Sequence, residues 1–299
     1  MRNLTAAQIH SDILLDLPFS NWTLSTLNTA SLTLTNLSLE MGIKGDVTWK
    51  TFSRCLSLPF LKDFSLGANL FAFGNVAKFM DIEAFLMNHP SIQDLHLYRV
   101  ELPPSVEAVP RPTFQNLVRF HGHPFYVEWL LRAQRAKRGE TALPNLEYLR
   151  MSSDTGIFDD ALFKPAFEAI VKSRKNLTLA LTWNYKDGIK DWLFSHIRNG
   201  QDRECSIVSG LSNISTLAIF DSCVYFRLSM VNIIPDWLQL FPSLRHLRFE
   251  CEKSTNIERL TDPTFIATVA ILCPDIETMA VGGEHAFDLE QIREHLGNL

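Results

Sequence analysis

One short phrase, apolar-x-x-apolar-x-apolar, returns along almost the whole chain and restricts its fold more than any other feature. Clear copies stand at Leu34, Leu37, Leu39; Leu61, Phe64, Leu66; Ile92, Leu95, Leu97; Leu146, Leu149, Met151; Ile214, Leu217, Ile219; Leu244, Leu247, Phe249; and Ile276, Met279, Val281. Two copies are degenerate: Leu117 with Phe120 puts Gly122 in the third apolar place, and Leu177, Leu179, Leu181 is out of step by one. The first positions follow one another at steps of roughly 25 to 37 residues. A unit that small cannot bury its own apolar face, so it must stack against copies of itself.

The lead-in repeats as well: Leu58-Pro59-Phe60-Leu61, His89-Pro90-Ser91-Ile92, Leu143-Pro144-Asn145-Leu146, Phe241-Pro242-Ser243-Leu244 and Cys273-Pro274-Asp275-Ile276. Proline cannot continue a helix, and it pushes the residue before it towards extended geometry, so each lead-in turns a helix into the next strand. Helical spacing fills the intervals, as in Ile82, Phe85, Leu86; Phe167, Ile170, Val171; Trp192, Ile197; and Phe265, Val269, Leu272. The unit is therefore strand, loop, helix. The expected fold is α/β, a leucine-rich-repeat solenoid that is curved, with a parallel sheet on the concave face and helices outside. It spans residues 31–299, and residues 1–30 form an N-terminal cap or the remnant of an upstream segment.

The stretches Leu143 to Met151, Phe241 to Phe249 and Cys273 to Val281 resemble the irregular leucine-rich repeats of fungal F-box proteins, of the ribonuclease-inhibitor-like class; the similarity covers roughly residues 30 to 285. One copy, Leu61 to Phe71, also carries the Asn69 with which a regular repeat hydrogen-bonds its turn. The resemblance implies a substrate-recognition array of an SCF-type ubiquitin ligase. The helical F-box that docks on the ligase adaptor opens with Leu-Pro-x-Glu, and this chain does not show it. The nearest string is Ile13-Leu14-Leu15-Asp16-Leu17-Pro18, and Asn21 to Leu39, rich in Thr, Ser and Leu, reads as strand or turn. An adaptor is then a partner only if an F-box is supplied, and the alternative is a free-standing scaffold or inhibitor.

Composition narrows the function classes. A net charge of -5 argues against a general electrostatic grip on nucleic acid or anionic lipid. No apolar run approaches the ~20 residues that cross a bilayer, and Met1 to His10 lacks the order of a secretory signal, so a cytoplasmic or nuclear protein is expected. Five scattered cysteines, Cys55, Cys205, Cys223, Cys251 and Cys273, contain no C-x-x-C pair and read as reduced, mostly core thiols; the five N-x-[S/T] sequons read as chance.

No G-x-S-x-G, Walker-type or dinucleotide-binding loop occurs, and Gly282-Gly283 is too short to be one, so neither an enzyme nor a cofactor is expected. His121-x-His123 is the sole tight histidine pair and has no cysteine or carboxylate at ligand spacing, so no metal is expected. The acidic C-terminal stretch from Glu284 to His295 reads as a solvated helical surface, and the run Arg132 to Arg138 as the exposed end of a helix begun near Val127.

On each repeat strand the residues between the apolar positions point the other way and line up laterally. The resulting partner-binding stripe is His96, Tyr98, Arg119, His121, His123, Tyr148, Arg150, Phe220, His246 and Arg248. Tyr and Arg are enriched at interface hot spots, and clustered Arg forks carboxylates and phosphates. The expected partner is a protein with an acidic or phosphorylated segment.

Overall fold

The computed structural model describes residues 3–40, 52–67, 77–109, 114–132, 143–152, 158–173, 175–183, 188–199, 206–221, 228–251 and 254–297. Asn69, Cys205, Cys223 and the basic run beyond Arg132 lie outside the described residues. The chain divides into two compact units, Met1–Leu146 and Glu147–Leu299.

In the first unit, β1 (Ala6–Ile9), β2 (Asn36–Glu40), β3 (Asp63–Gly67), β5 (Asp94–Leu97) and β7 (Arg119–Gly122) pair in that order, all parallel. Two short strands, β4 (Ala77–Lys78) and β6 (Val100–Glu101), form a separate parallel ribbon. The helices are α1 (Phe19–Thr29), α2 (Phe79–Asn88) and α3 (Pro124–Arg132). The phrase positions make the core: Leu37, Leu39, Phe64, Leu66, Leu95, Leu97 and Phe120 are all buried, and α2 lays Phe79, Ile82, Phe85 and Leu86 into the same core. Phe79 stacks on Tyr126 at 5.0 Å and meets Trp129 edge-on at 4.9 Å, which joins α2 to α3.

The second unit repeats the scheme: β8 (Tyr148–Met151), β9 (Leu177–Thr182), β10 (Ile214–Asp221), β11 (His246–Cys251) and β12 (Thr278–Val281) are parallel, and β13 (His285–Asp288) adds antiparallel to β12. Between them run α4 (Asp160–Ser173), α5 (Ile189–Asn199), α6 (Leu228–Val231), α7 (Ile234–Leu238), α8 (Ser254–Leu260), α9 (Pro263–Leu272) and, after β13, α10 (Leu289–Gly297). Its core is aromatic, with Trp192 at 4.8 Å from Phe158 and 5.6 Å from Trp237, and Trp237 at 4.9 Å from Phe241. Helix α9 shows why the segments between strands are helical. Asp262 caps it by accepting from the Thr264 N–H at 2.8 Å, Pro263 opens it, Phe265, Ile266, Val269 and Ala270 face inwards, and Cys273-Pro274 ends it.

The proline lead-ins form one repeated turn. The carbonyl of Leu58, His89, Leu143 or Cys273 accepts from the N–H three residues on, at 3.0, 3.2, 3.4 and 3.1 Å, with proline in the second place. His89 and Cys273 sit at φ, ψ of -122°, 63° and -120°, 71°, outside the helical region, as a following proline demands.

Two expectations change. Residues 19–29 are helical, against the strand or turn read for Asn21 to Leu39: Thr23 and Leu27 turn into the core and Thr23 Oγ1 donates to the Leu14 carbonyl at 2.6 Å, so tertiary packing overrides weak local preference. The C-terminal stretch is a hairpin strand before it is a helix. Gly282 and Gly283, at φ 62° and 73°, make its turn, a conformation that side chains resist. Among the described cysteines, Cys251 and Cys273 are buried and Cys55 is exposed. Among the described residues no helix is long and apolar enough to cross a membrane.

Candidate functional site

Each unit leaves one sheet face to its outward residues, and the registers fix which ones share a row. In the first unit one row is Asn36, Asp63, Asp94, Arg119 and the next is Ser38, Ser65, His96, His121. The sequence stripe took His96, Arg119 and His121 from these rows but left out the carboxylates beside them. Arg119 Nε donates to Asp94 Oδ2 at 2.8 Å, His96 Nε2 lies 2.9 Å from Asp94 Oδ1, and Asn36 donates to Asp63. The His96 and His121 rings stack at 3.9 Å and 13°, and Tyr98, just past β5, meets His96 edge-on at 6.2 Å.

Two carboxylates on neighbouring strands raise each other's cost of ionisation, so burial and the nearby Asp94 push the Asp63 carboxyl above its ordinary range. Burial also lifts Asp94, but the His96 hydrogen bond and the charges of His96, His121 and Arg119 outweigh it, and Asp94 ends below the usual range. An open groove of about 600 Å³ runs beside these rows and is lined in part by Asn36, Asp63, Ser65, Asp94 and His96.

His123 does not join this face. It is 7% exposed, and its Nδ1 accepts from the Phe125 N–H at 3.2 Å at the start of α3. Alternation stops at Gly122, where the strand ends and the helix begins, so an outward position at 123 is a misreading. Burial drops the His123 imidazole to about 4.

In the second unit one row is Tyr148, Thr178, Thr216, His246, Thr278, and the next is Arg150, Ala180, Ala218, Arg248, Ala280. Beyond them Thr182, Phe220 and Glu250 form a third. Two small residues, Ala180 and Ala218, stand beside Arg150 in its row, and its side chain reaches the next one: its Nε donates to Thr182 Oγ1 at 2.9 Å and its guanidinium carbon sits 3.6 Å over the Phe220 ring. Both alanines are buried, at 0% and 3% exposed. Among the described residues the two terminal NH2 groups of Arg150 meet no protein acceptor. Arg248, by contrast, is paired with Glu250 at 2.6 Å, and His246 Nδ1 lies 2.9 Å from Thr278 Oγ1.

Sequence reasoning missed Thr178, Ala180 and Thr182 because their copy reads out of step. A bulge in β10 between Ile214 and Thr216 absorbs the slip, after which Leu179 pairs with Leu217 and Leu181 with Ile219. Strict alternation from Leu179 onwards is the signal that finds them.

One further cluster has the residue types of nucleophilic catalysis. His196 Nδ1 lies 3.0 Å from Ser206 Oγ and its Nε2 lies 4.0 Å from Asp160 Oδ1. Ser206 is 5% exposed and His196 7%, so the serine oxygen has no approach for a substrate and the trio reads as packing.

No family model matches the chain, and no curated protein matches its sequence. Among solved structures, the leucine-rich repeat-containing protein LegL7 from Legionella pneumophila superposes with a TM-score of 0.52 at 11% identity, over 99% of this chain and 91% of that one. The chain has the leucine-rich-repeat fold.

Proposed function

We propose that the chain is a protein-interaction module whose second-unit sheet face binds a peptide segment carrying carboxylate or phosphate groups. The observation that carries this reading is Arg150. A guanidinium held by a ring and a hydroxyl has already lost most of its rotamer freedom, so binding an anion through its remaining donors costs little further ordering. Phe220 lies under it, and Tyr148, His246 and Arg248 on the same sheet face add the aromatic and basic groups that interfaces favour. A net charge of -5 keeps the grip local to this face and unsuited to nucleic acid.

Selection of a randomised peptide display library against the immobilised chain tests the reading. It expects an Asp-, Glu- or phosphoresidue-rich consensus that disappears with Arg150→Ala. No enrichment, or the same consensus from the variant, overturns it.

The finer reading, a substrate-recognition array of an SCF-type ligase, rests on the resemblance to fungal F-box proteins and on one observation. Ile13, Leu17, Phe19 and Trp22 are 63%, 78%, 48% and 57% exposed, an apolar stretch at the start of α1 of the kind that a partner covers. Co-purification with the ligase adaptor, lost on Trp22→Asp, supports it. Failure to form that complex leaves the free-standing scaffold or inhibitor.

A further inference from the structure

We propose that Asp94, His96 and His121 form a binding site for a divalent transition-metal ion, zinc above all, on the sheet face of the first unit. One ligand atom from each of the three lies within 4.8 Å of the others. Two atoms bound to one tetrahedral zinc at about 2.0–2.1 Å stand ~3.3 Å apart, so Asp94 Oδ1 and His96 Nε2, which share a hydrogen bond at 2.9 Å, need to separate by only ~0.4 Å when a metal replaces the proton between them. The His121 ring, half-buried at the surface and stacked on that of His96 at 3.9 Å, puts a nitrogen within the same 4.8 Å span.

The surroundings suit a cation. Asp63 and Asp94 against Arg119 leave one net negative charge beside two imidazoles that ligate in their neutral form. Arg119 engages Asp94 Oδ2 and leaves Oδ1 for the metal, the outer-shell support by which ligating carboxylates are oriented. Two nitrogens and a carboxylate oxygen are a donor set that zinc accepts, and a third-ligand site of this kind keeps a fourth position for water or for an oxygen of a bound partner. The adjoining groove, lined by Asp63, Asp94 and His96, provides access. The proposal is independent of the role given to Arg150, which lies in the other unit.

Equilibrium dialysis of the full chain against zinc chloride, with the bound metal counted, tests it. The expected result is one equivalent retained, with His96→Ala and His121→Ala each weakening binding by about 100-fold, at the upper end of what loss of a supporting partner costs, while His285→Ala, at an exposed position on β13, changes nothing. Peptide mapping of diethyl pyrocarbonate modification on the unaltered chain covers the case in which a variant fails to fold: zinc must protect His96 and His121. Sub-stoichiometric retention, protection at other histidines, or variants that bind as the parent does would overturn the proposal.

Discussion

At the scale of single residues, Gly122 and His123 show two adjacent positions with opposite demands. A Cβ at Gly122 would stand 2.7 Å from the Leu97 carbonyl oxygen and 2.9 Å from Phe120 Cζ. The first of these is backbone and cannot swing away, so Gly122→Ala should cost about 1–3 kcal/mol, read from urea unfolding. No change in midpoint would contradict the close approach. The glycine that looks like a flaw in the repeat phrase is the residue that lets β7 lie against β5.

His123 links stability to pH. Its imidazole is held at about 4 in the fold, below the ordinary 6.5, so between those values the unfolded chain binds the extra proton and stability falls as pH falls. The window is worth up to about 3 kcal/mol. His89 and His196 are lowered by burial too and act in the same direction. His123→Asn keeps an acceptor for the Phe125 N–H but cannot titrate. Its unfolding free energy should lose less than the parent's between pH 7 and pH 5, and equal losses would refute the assignment.

At the scale of elements, one position recurs that the phrase itself does not include. The residue just before the first apolar place reaches back to the preceding turn: Ser91 Oγ to the Leu61 carbonyl at 2.8 Å, and Asn116 and Asn145 Nδ2 to those of Pro90 and Gln115 at 3.0 and 2.9 Å. Asn213, in the second unit, donates to Lys175 at 2.6 Å and Ile170 at 3.3 Å. It is 7% exposed, so its sequon is closed to a glycan. Asn213→Ala removes the 2.6 Å bond to the part-buried Lys175 carbonyl, while that of Ile170 still accepts from Ser173 Oγ at 2.7 Å, and it should cost about 1–3 kcal/mol in chemical unfolding. A cost near zero would mean that the bonds to these turns contribute little.

The strands and their prolines were legible because alternation and the pre-proline restriction are local. The α1 helix was not, since its Ser, Thr and Asn residues give no clear preference and packing decides. The bulge at Ser215 escaped for a related reason: an inserted residue shifts one strand's frame without leaving a mark in composition.

At the scale of the whole molecule, the leucine-rich-repeat fold followed from the phrase and its spacing, while the chemistry of the sheet faces depended on what stands beside each outward residue. Asp94 lies two places from His96 in the chain, but His121 joins them only through the pairing of β5 with β7. Arg119 and Arg150 looked alike in the stripe. The first is neutralised by Asp94, and the second is held over Phe220 with its terminal NH2 groups meeting no acceptor among the described residues. Arg119→Ala should therefore change affinity for an acidic peptide less than Arg150→Ala does, and the reverse order would show that the wrong arginine has been singled out.

The most direct test of the recognition role is the dissociation constant of one selected acidic peptide for the parent chain, for Arg150→Ala on the sheet face and for Lys164→Ala on helix α4. The account expects a weakening of about tenfold or more for Arg150→Ala, equivalent to roughly 1.4 kcal/mol, and none for Lys164→Ala. Equal affinities for all three chains, or a loss confined to Lys164→Ala, would contradict it.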